Sequence, residues 1–354
     1  MKEIQIFKRN DLKQKPDQEH LEFGHHFTDH MFILDYNVEQ GWHDARIVPY
    51  APIVLDPAAM VLHYGQAVFE GMKAFLTKDD QILLFRPTKN MERLNQSNRR
   101  LEIPEIDEDF VLHAIKTLIK VDKEWIPSGK GTSLYIRPFI IATEACLGVR
   151  AAHHYQLLVI LSPVGAYYSE GIEPVKINVE SSYARAVRGG LGTAKAAGNY
   201  AASIKAQTEA KEAGYSQVLW LDALERKYVE EVGSMNIFFK IAGKVITPEL
   251  NGSILAGVTR DSIIELLRNW GIPVEERRIS MEEIQQAYNN HTLEEVFGTG
   301  TAAVISPVGE LFWNEQQMII NEGHIGKLSQ QLYDTITGIQ TGLVPDTLQW
   351  TVQV

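Results

Sequence analysis

The stretch Arg188-Gly189-Gly190-Leu191-Gly192-Thr193-Ala194-Lys195-Ala196-Ala197-Gly198-Asn199-Tyr200 sets one lysine among four glycines and three alanines. A lysine ammonium is a compact, strongly hydrated charge that ordinarily stands on a solvated face. Small neighbours let a bulky group approach the amine. A dry pocket favours its neutral, nucleophilic form, which is what a Schiff-base lysine requires. Taken alone, the stretch fits a flexible Gly/Ala loop with a solvated lysine better. Gly190 to Lys195 also half-matches a dinucleotide loop, but Lys195 occupies the third glycine's place and that reading is rejected. The remainder of the chain decides.

With 354 residues there is room for about two domains with full cores. A hydrophobic content of 45% with 22% charged residues is that of a globular protein in water, and the net charge of −11 argues against nucleic acid as the main partner. Cys146 is the only cysteine, so no disulfide or thiolate metal cluster can form within the chain, and a reducing compartment is expected. Residues 1–5 lack the apolar core of a signal peptide, and no apolar run reaches membrane-spanning length, which predicts a cytoplasmic protein.

Upstream of the lysine, residues 1–20 are polar and predict a loosely held arm. His26 and His30 share a helical i, i+4 spacing, but without acidic or cysteine partners they read as an incidental pair rather than a metal site. Met31 to Tyr36 reads as a strand. The aromatic, glycine-punctuated run His63 to Phe75 is either ordinary core or an apolar wall of Tyr64 and Phe69 suited to a hydrocarbon substrate. Strand Ile82 to Phe85 delivers Arg86 just before Pro87 and a helix capped by Thr88. An arginine there can fork onto a phosphate or make a surface salt bridge. Phe110, Val111, Ala114, Ile115, Leu118 and Ile119 line one face of a helix. Strand alternation puts Tyr135 and Arg137 side by side, a pair suited to a carboxylate, while Pro138 predicts an edge or a bulge. The Gly/Pro-rich segment Ser162 to Pro174 marks a boundary: a first domain over 1–163, a linker over 164–174 and a second domain over 175–354.

The second half predicts strands at Val175 to Glu180 and Gln217 to Leu221, with a helix from Tyr200 between them. Glu230 and Glu231 are adjacent in a strand, so one must point inward and needs a partner there. Ala242-Gly243 reads as a hairpin turn, and Ser280 with Glu283 as a capping box. Gly257, Val258 and Thr259 open a helix whose first N–H groups can bind an anion, unless Thr259 is simply its N-cap. Phe297 to Ala303 is a second glycine turn able to present N–H groups to oxyanions.

One pocket lysine, one inward carboxylate, Tyr200 five residues after the lysine, and the phosphate-suited elements Arg86, Gly257–Thr259 and Thr301 together describe pyridoxal 5′-phosphate. At these residues the sequence resembles the branched-chain-amino-acid aminotransferases, of the fold-type IV class of pyridoxal phosphate enzymes. The matching segments are Phe27 to Met31, Tyr64 to Phe75, Phe85 to Pro87 with Asn90-Met91, Tyr135 to Pro138, Gly165 to Tyr167, Lys195 to Tyr200, Glu231 to Phe238, Gly257 to Arg260 and Gly298 to Ala302. They follow the family's order across almost the whole chain.

The resemblance implies a mixed α/β, two-domain architecture with the cofactor lysine in the larger C-terminal domain and the cofactor between the domains. It implies that Lys195 would hold the cofactor and shuttle the substrate proton, Glu231 pair with the ring nitrogen, and Tyr200 bond the ring hydroxyl oxygen. Arg86, Gly257, Val258, Thr259 and Thr301 would hold the phosphate. Thr301–Ala302 and Tyr135 would take the α-carboxylate, and Phe27, Tyr64, Phe69, Tyr167 and Ser234 would line the side-chain pocket. Arg137, beside Tyr135, is expected to serve glutamate's distal carboxylate. Tyr64, Leu147 and Val149 match positions reaching a second subunit's site, which implies a homodimer. Some animal relatives carry Cys-x-x-Cys just after the Thr-Ala turn, where this chain has Ala303 and Ser306, so thiol regulation there is excluded. Ser234 stands where relatives often have threonine. A D-amino-acid aminotransferase or aminodeoxychorismate lyase shares this fold and lysine, but the Tyr64 to Phe75 and Tyr135 to Arg137 matches argue against both. A non-catalytic phosphate-ligand binder leaves Lys195 and Glu231 unexplained.

Overall fold

Residues 133–142 form a strand in which every second side chain is apolar and fully covered, and that alternation organises the first half of the molecule. The computed structural model describes residues 3–165 and 172–354. By its internal contacts the chain falls into two units, Met1–Ser169 with Ala194–Ala197 and Gly338–Val354, and Glu170–Thr193 with Gly198–Thr337.

The first unit contains β1 (Gln5–Ile6), β2 (His30–Asn37), β3 (Gly41–Pro49), α1 (Met60–Tyr64), β4 (Ala67–Phe69), β5 (Met72–Leu76), β6 (Ile82–Phe85), α2 (Pro87–Arg100), α3 (Glu108–Val121), β7 (Ser133–Ala142) and β8 (His154–Val164). Its sheet runs β1-β3-β2-β8-β7-β5-β6 and ends on a strand from the far C-terminus, Thr351–Gln353; β4 also pairs with β7. One face, carrying Phe32, Leu34, Ile47, Leu134, Ile136, Leu157 and Val159, packs in one core with Met91 and Leu94 of α2 and Val111, Ile115 and Leu118 of α3. Each such side chain removed from water contributes about 1.5–3 kcal/mol. Asp107 caps α3, accepting a hydrogen bond from the Phe110 N–H at 3.0 Å.

The second unit contains β9 (Val175–Glu180), most of α4 (Ala197–Glu212), β10 (Gln217–Leu221), β11 (Val229–Val232), β12 (Asn236–Ile241), β13 (Lys244–Thr247), α5 (Val258–Asn269), β14 (Val274–Glu276), α6 (Met281–Asn289), β15 (Leu293–Gly300), β16 (Val304–Trp313), β17 (Gln316–Ile319) and most of α7 (Lys327–Gln340). Its sheet order is β11-β10-β9-β16-β15-β12-β13-β14, with β17 on β16. Alternate residues of β10 serve two cores: Leu219 and Leu221 join Ile177, Ile237 and Ile284, while Val218 and Trp220 pack on Ala206 and Ala210 of α4. The mixed α/β class expected from the sequence holds. No helix among the described residues is long and apolar enough to cross a membrane.

Several local expectations change. The N-terminal arm is tied down: β1 pairs in parallel with β3 and the Phe7 N–H reaches the Ile47 carbonyl. His26 and His30 share no helix, since His30 begins β2. Pro87, not Thr88, begins α2, with Arg86 at its N-cap; a proline there loses no helical hydrogen bond. Gly257, not Thr259, is the N-cap of α5, and α4 starts at Ala197 rather than Tyr200. Pro138 lies within a central strand rather than at an edge. Its missing N–H falls opposite Glu70, where the neighbouring strand is interrupted between β4 and β5, so one bond is kept, Glu70 N–H to Pro138 carbonyl at 2.8 Å.

That interruption turns Glu70 into the core, fully buried. Arg93 of α2 forks onto it at 2.7 and 2.8 Å, and Asn90 adds a third bond at 2.8 Å. Burial alone pushes the carboxyl up, but the Arg93 guanidinium, with smaller help from the Lys195 charge and Asn90, holds it below its ordinary 4.5. A depressed carboxyl contributes stability above its unfolded value and loses it as pH falls through the folded one. Arg93→Met strands this charge and is expected to cost about 3–5 kcal/mol in urea unfolding at neutral pH. The deficit should shrink in acid, and in the Arg93→Met/Glu70→Gln double variant; a deficit independent of both would remove the role given to the pair.

Candidate active site

A lysine on a Gly/Ala stretch has no bulky neighbours to pack, so backbone bonds must fix it. Lys195 donates its N–H to Ser97 Oγ at 2.9 Å and accepts the Phe69 N–H on its carbonyl at 3.0 Å, while Ala196 bridges Val68. The short stretch is thereby laid along β4 within the first unit, although the chain on both sides belongs to the second. The half-buried Lys195 places its Nζ 4.8 Å from the centre of the Phe69 ring.

The same ring carries a second cation, the Arg137 guanidinium at 4.7 Å. Arg137 Nη2 donates to the Tyr135 hydroxyl at 2.9 Å, so the two residues share a face as alternation predicts. This is the sheet face opposite the helices. A Cβ on Gly71 would overlap the Tyr135 hydroxyl, so only glycine lets that hydroxyl lie there. Phe23 packs edge-on to Tyr135 at 4.8 Å, and Phe27 stacks on Tyr50 at 5.1 Å. Lys195, Phe69, Tyr135 and Arg137 thus come together. Tyr64 and Leu147 meet elsewhere, through a hydrogen bond from the Tyr64 hydroxyl to the Leu147 carbonyl; with Val149 they leave an exposed apolar patch, Leu147 at 64% and Val149 at 83%. Tyr167 lies outside the described residues.

Arg86 is buried in a left-handed backbone conformation, φ 47°, between β6 and α2. Its N–H donates to the Trp350 carbonyl at 2.7 Å and its guanidinium lies 5.0 Å from the Trp350 ring. The contribution of Trp350, some 260 residues away, left no local signal in the sequence.

In the second unit both adjacent glutamates are buried, not one of them. Glu231, 2% exposed, faces Arg185 across 2.5 Å, and Arg185 is buried with it. The strand pattern implies a partner for one inward carboxylate, but nothing local in the sequence points to Arg185 as that partner. Glu230 takes the opposite face and accepts a hydrogen bond from Ser253 Oγ. Burial pushes its carboxyl up, against the Ser253 bond. Tyr200 is half-buried in the first turn of α4, and Ser234 is exposed in the turn between β11 and β12.

The donor set suits a phosphate. No side chain caps the twelve-residue helix α5. A Cβ on its N-cap Gly257 would overlap Asn236 Oδ1, and Asn236 Nδ2 in turn holds the Leu255 carbonyl at 2.9 Å. Asn236 pairs with Thr299 of β15, whose buried Oγ1 has no hydrogen-bond partner among the described residues. Thr301 and Ala302 follow in the turn after β15. A cradle that only glycine permits, beside an uncapped helix end and a buried hydroxyl without a partner, fits an anionic group. Among the described residues no three His, Cys, Asp or Glu side chains are grouped to hold a metal.

Residues 67–311 match the family model described as amino-transferase class IV. The sequence is 64% identical to branched-chain-amino-acid aminotransferase 2 of Bacillus subtilis (strain 168), over 97% of this chain and 94% of that one. Among solved structures, a branched-chain amino acid aminotransferase of Escherichia coli matches with a TM-score of 0.77 at 29% identity, over 92% of this chain and 99% of that one. A second solved branched-chain amino acid aminotransferase, complexed with N-(5′-phosphopyridoxyl)-L-glutamate, matches at 0.74 and 29%, over 90% and 97%.

Gly71→Ala should displace the Tyr135 hydroxyl and break its bond with Arg137, costing about 1–3 kcal/mol of overpacking. Adding Tyr135→Phe removes the overlapping atom and should restore part of that stability. Thermal unfolding of both variants checks it; no recovery in the double variant would mean the strain lies elsewhere.

Proposed function

The chain belongs to the class IV aminotransferases, among the branched-chain-amino-acid aminotransferases, and from that premise we propose which of its residues carry the reaction. The enzyme moves the amino group of leucine, isoleucine or valine to 2-oxoglutarate, giving a branched 2-oxo acid and glutamate. The observation that carries the assignment of residues is Lys195, fixed by its backbone along β4 with its amine over Phe69, the ring that also carries the guanidinium of the Arg137–Tyr135 pair.

The cofactor assigned is pyridoxal 5′-phosphate, supported by the donor set and by the phosphopyridoxyl compound held by the second solved relative. When bound, it supplies an aldehyde that captures amines and a ring that draws electrons from the substrate's Cα. Lys195 would hold that aldehyde through Nζ and, once released, move the proton taken from Cα. Glu231, kept in place by Arg185, would present a carboxylate oxygen to the ring nitrogen, and Tyr200 its hydroxyl to the ring oxygen. Arg86, the N–H groups of Val258 and Thr259 beyond Gly257, and Thr301 would hold the phosphate.

For the substrate, the Tyr135 hydroxyl and the N–H groups of the Thr301–Ala302 turn would take the α-carboxylate. Phe27, Tyr64, Phe69, Tyr167 and Ser234 would form the side-chain wall. Such a wall suits a branched aliphatic group but leaves glutamate's distal carboxylate unpaired. Arg137 answers that need. Tyr64, Leu147 and Val149 would serve a second subunit in a homodimer, a role supported by their exposed apolar surface.

Borohydride reduction of the purified enzyme should leave a pyridoxyl adduct on the peptide containing Lys195. Native mass spectrometry of the same sample should show twice the 39.9 kDa chain plus cofactor. An adduct on another lysine, or a monomer, would sink the respective assignment. Arg137→Met should cripple the glutamate half-reaction, by about ten- to a hundred-fold for a charge-assisted pair of about 1.5–3 kcal/mol. The leucine half-reaction should change much less. Single turnovers with each amino acid decide it, and equal losses would refute the specific role.

A further inference from the structure

The N-terminal arm is unused by the roles assigned so far. Its own residues are exposed or half-buried, yet it docks through specific bonds onto buried acceptors. The Arg9 N–H donates to His30 Nε2 at 2.8 Å, and the Lys13 N–H to Asp29 Oδ1 at 2.8 Å. Both acceptors are buried and anchored from behind: His30 Nδ1 meets Asp122 Oδ1 at 2.6 Å, and Trp125 Nε1 donates to Asp29 Oδ2 at 2.6 Å. Because a backbone N–H occupies Nε2, the His30 ring must give its own proton to Asp122 from Nδ1.

This anchoring aims one side chain. Lys13 Nζ donates to the carbonyls of Phe27 and Thr28, at 3.2 and 2.8 Å, and lies 4.3 Å from the centre of the Tyr50 ring. Tyr50 is the ring on which Phe27 stacks, their planes 7° apart. On its C-terminal side Phe27 is held by the Thr28 N–H to Leu161 carbonyl bond at 3.0 Å. On its N-terminal side, Glu22 to His26 are exposed. The ammonium therefore ties the Tyr50 ring to the backbone carbonyl of Phe27, whose own ring stacks on Tyr50, at the point where the chain leaves the sheet.

We propose that the arm is a specificity strap, with Lys13 as the positioning residue that sets where the Phe27 ring stands in the substrate's side-chain wall. The proposal rests on the reading of Phe27 as part of that wall. Its consequence is selective: an aliphatic side chain feels the wall directly, whereas glutamate's distal carboxylate is served by Arg137.

The test uses the full-length holoenzyme. Lys13→Met keeps the stem and removes the three donors. The expected result is a KM for leucine raised about fivefold, with the KM for glutamate and both kcat values within about twofold. Equal rises in both KM values, a fall in kcat alone, or an unchanged leucine-to-glutamate KM ratio would overturn the strap. Phe27→Ala separates the two layers. If it leaves the ratio unchanged, the wall reading of Phe27 falls and the proposal with it. If it changes the ratio while Lys13→Met does not, the strap alone falls. In the double variant the ratio should match that of Phe27→Ala, because the strap acts only through that ring; additive effects would refute it.

Discussion

The site depends on the backbone bond between the Phe69 N–H and the Lys195 carbonyl, with the Val68–Ala196 bridge beside it. A lysine flanked by alanines and glycines gains almost nothing from side-chain packing, so its position is only as good as the strand it lies on. That strand is three residues long, too short to be rigid alone. It is fixed because the next residue, Glu70, is buried under the Arg93 fork. Removing two charges from water is costly, and the geometry offsets that cost only while both partners are present. The small residues around the amine leave access, and the ion pair behind them supplies the stiffness.

The first unit's sheet divides its labour by face. Residues of one parity fill the core against α2 and α3. The opposite parity gives Tyr135 and Arg137, which lie over Gly71 and Phe69. A residue slip in register would exchange the two sets, burying Arg137 in the apolar core. Stability of the core and placement of the site are thus set by the same pairing. The second unit uses a related economy: β10 sends alternate residues to two cores, and β11 buries two carboxylates on opposite faces, each with its own partner.

Most of what recurs at short spacing was legible in the sequence. Alternation gave the strands and the Tyr135–Arg137 pairing. The 3.6-residue period gave α3, and the Ser280–Glu283 box gave the start of α6, where the Glu283 N–H indeed bonds Ser280 Oγ at 3.1 Å. The glycine turns and the lone lysine pointed to a phosphate-bearing aldehyde cofactor, and the order of the matching segments to the family. The strands, helix starts and turns follow from side-chain periodicity and backbone freedom, whereas the family came from resemblance across the matching segments.

What the tertiary structure decided is everything that needed a partner far along the chain. Arg185 beside Glu231, Trp350 under Arg86, Arg93 on Glu70 and Lys13 on Phe27 are pairings between distant segments that carry no fixed spacing. The arm looked loose because its residues are polar, and polarity does not show that buried Asp29 and His30 accept N–H donors from that arm. The boundary set at 164–174 kept the lysine with the segment that follows it, while the contacts of Ala194–Ala197 fall with the first unit. Sequence determines what each residue can bond, but which bond forms is fixed only when burial removes water as the competing partner.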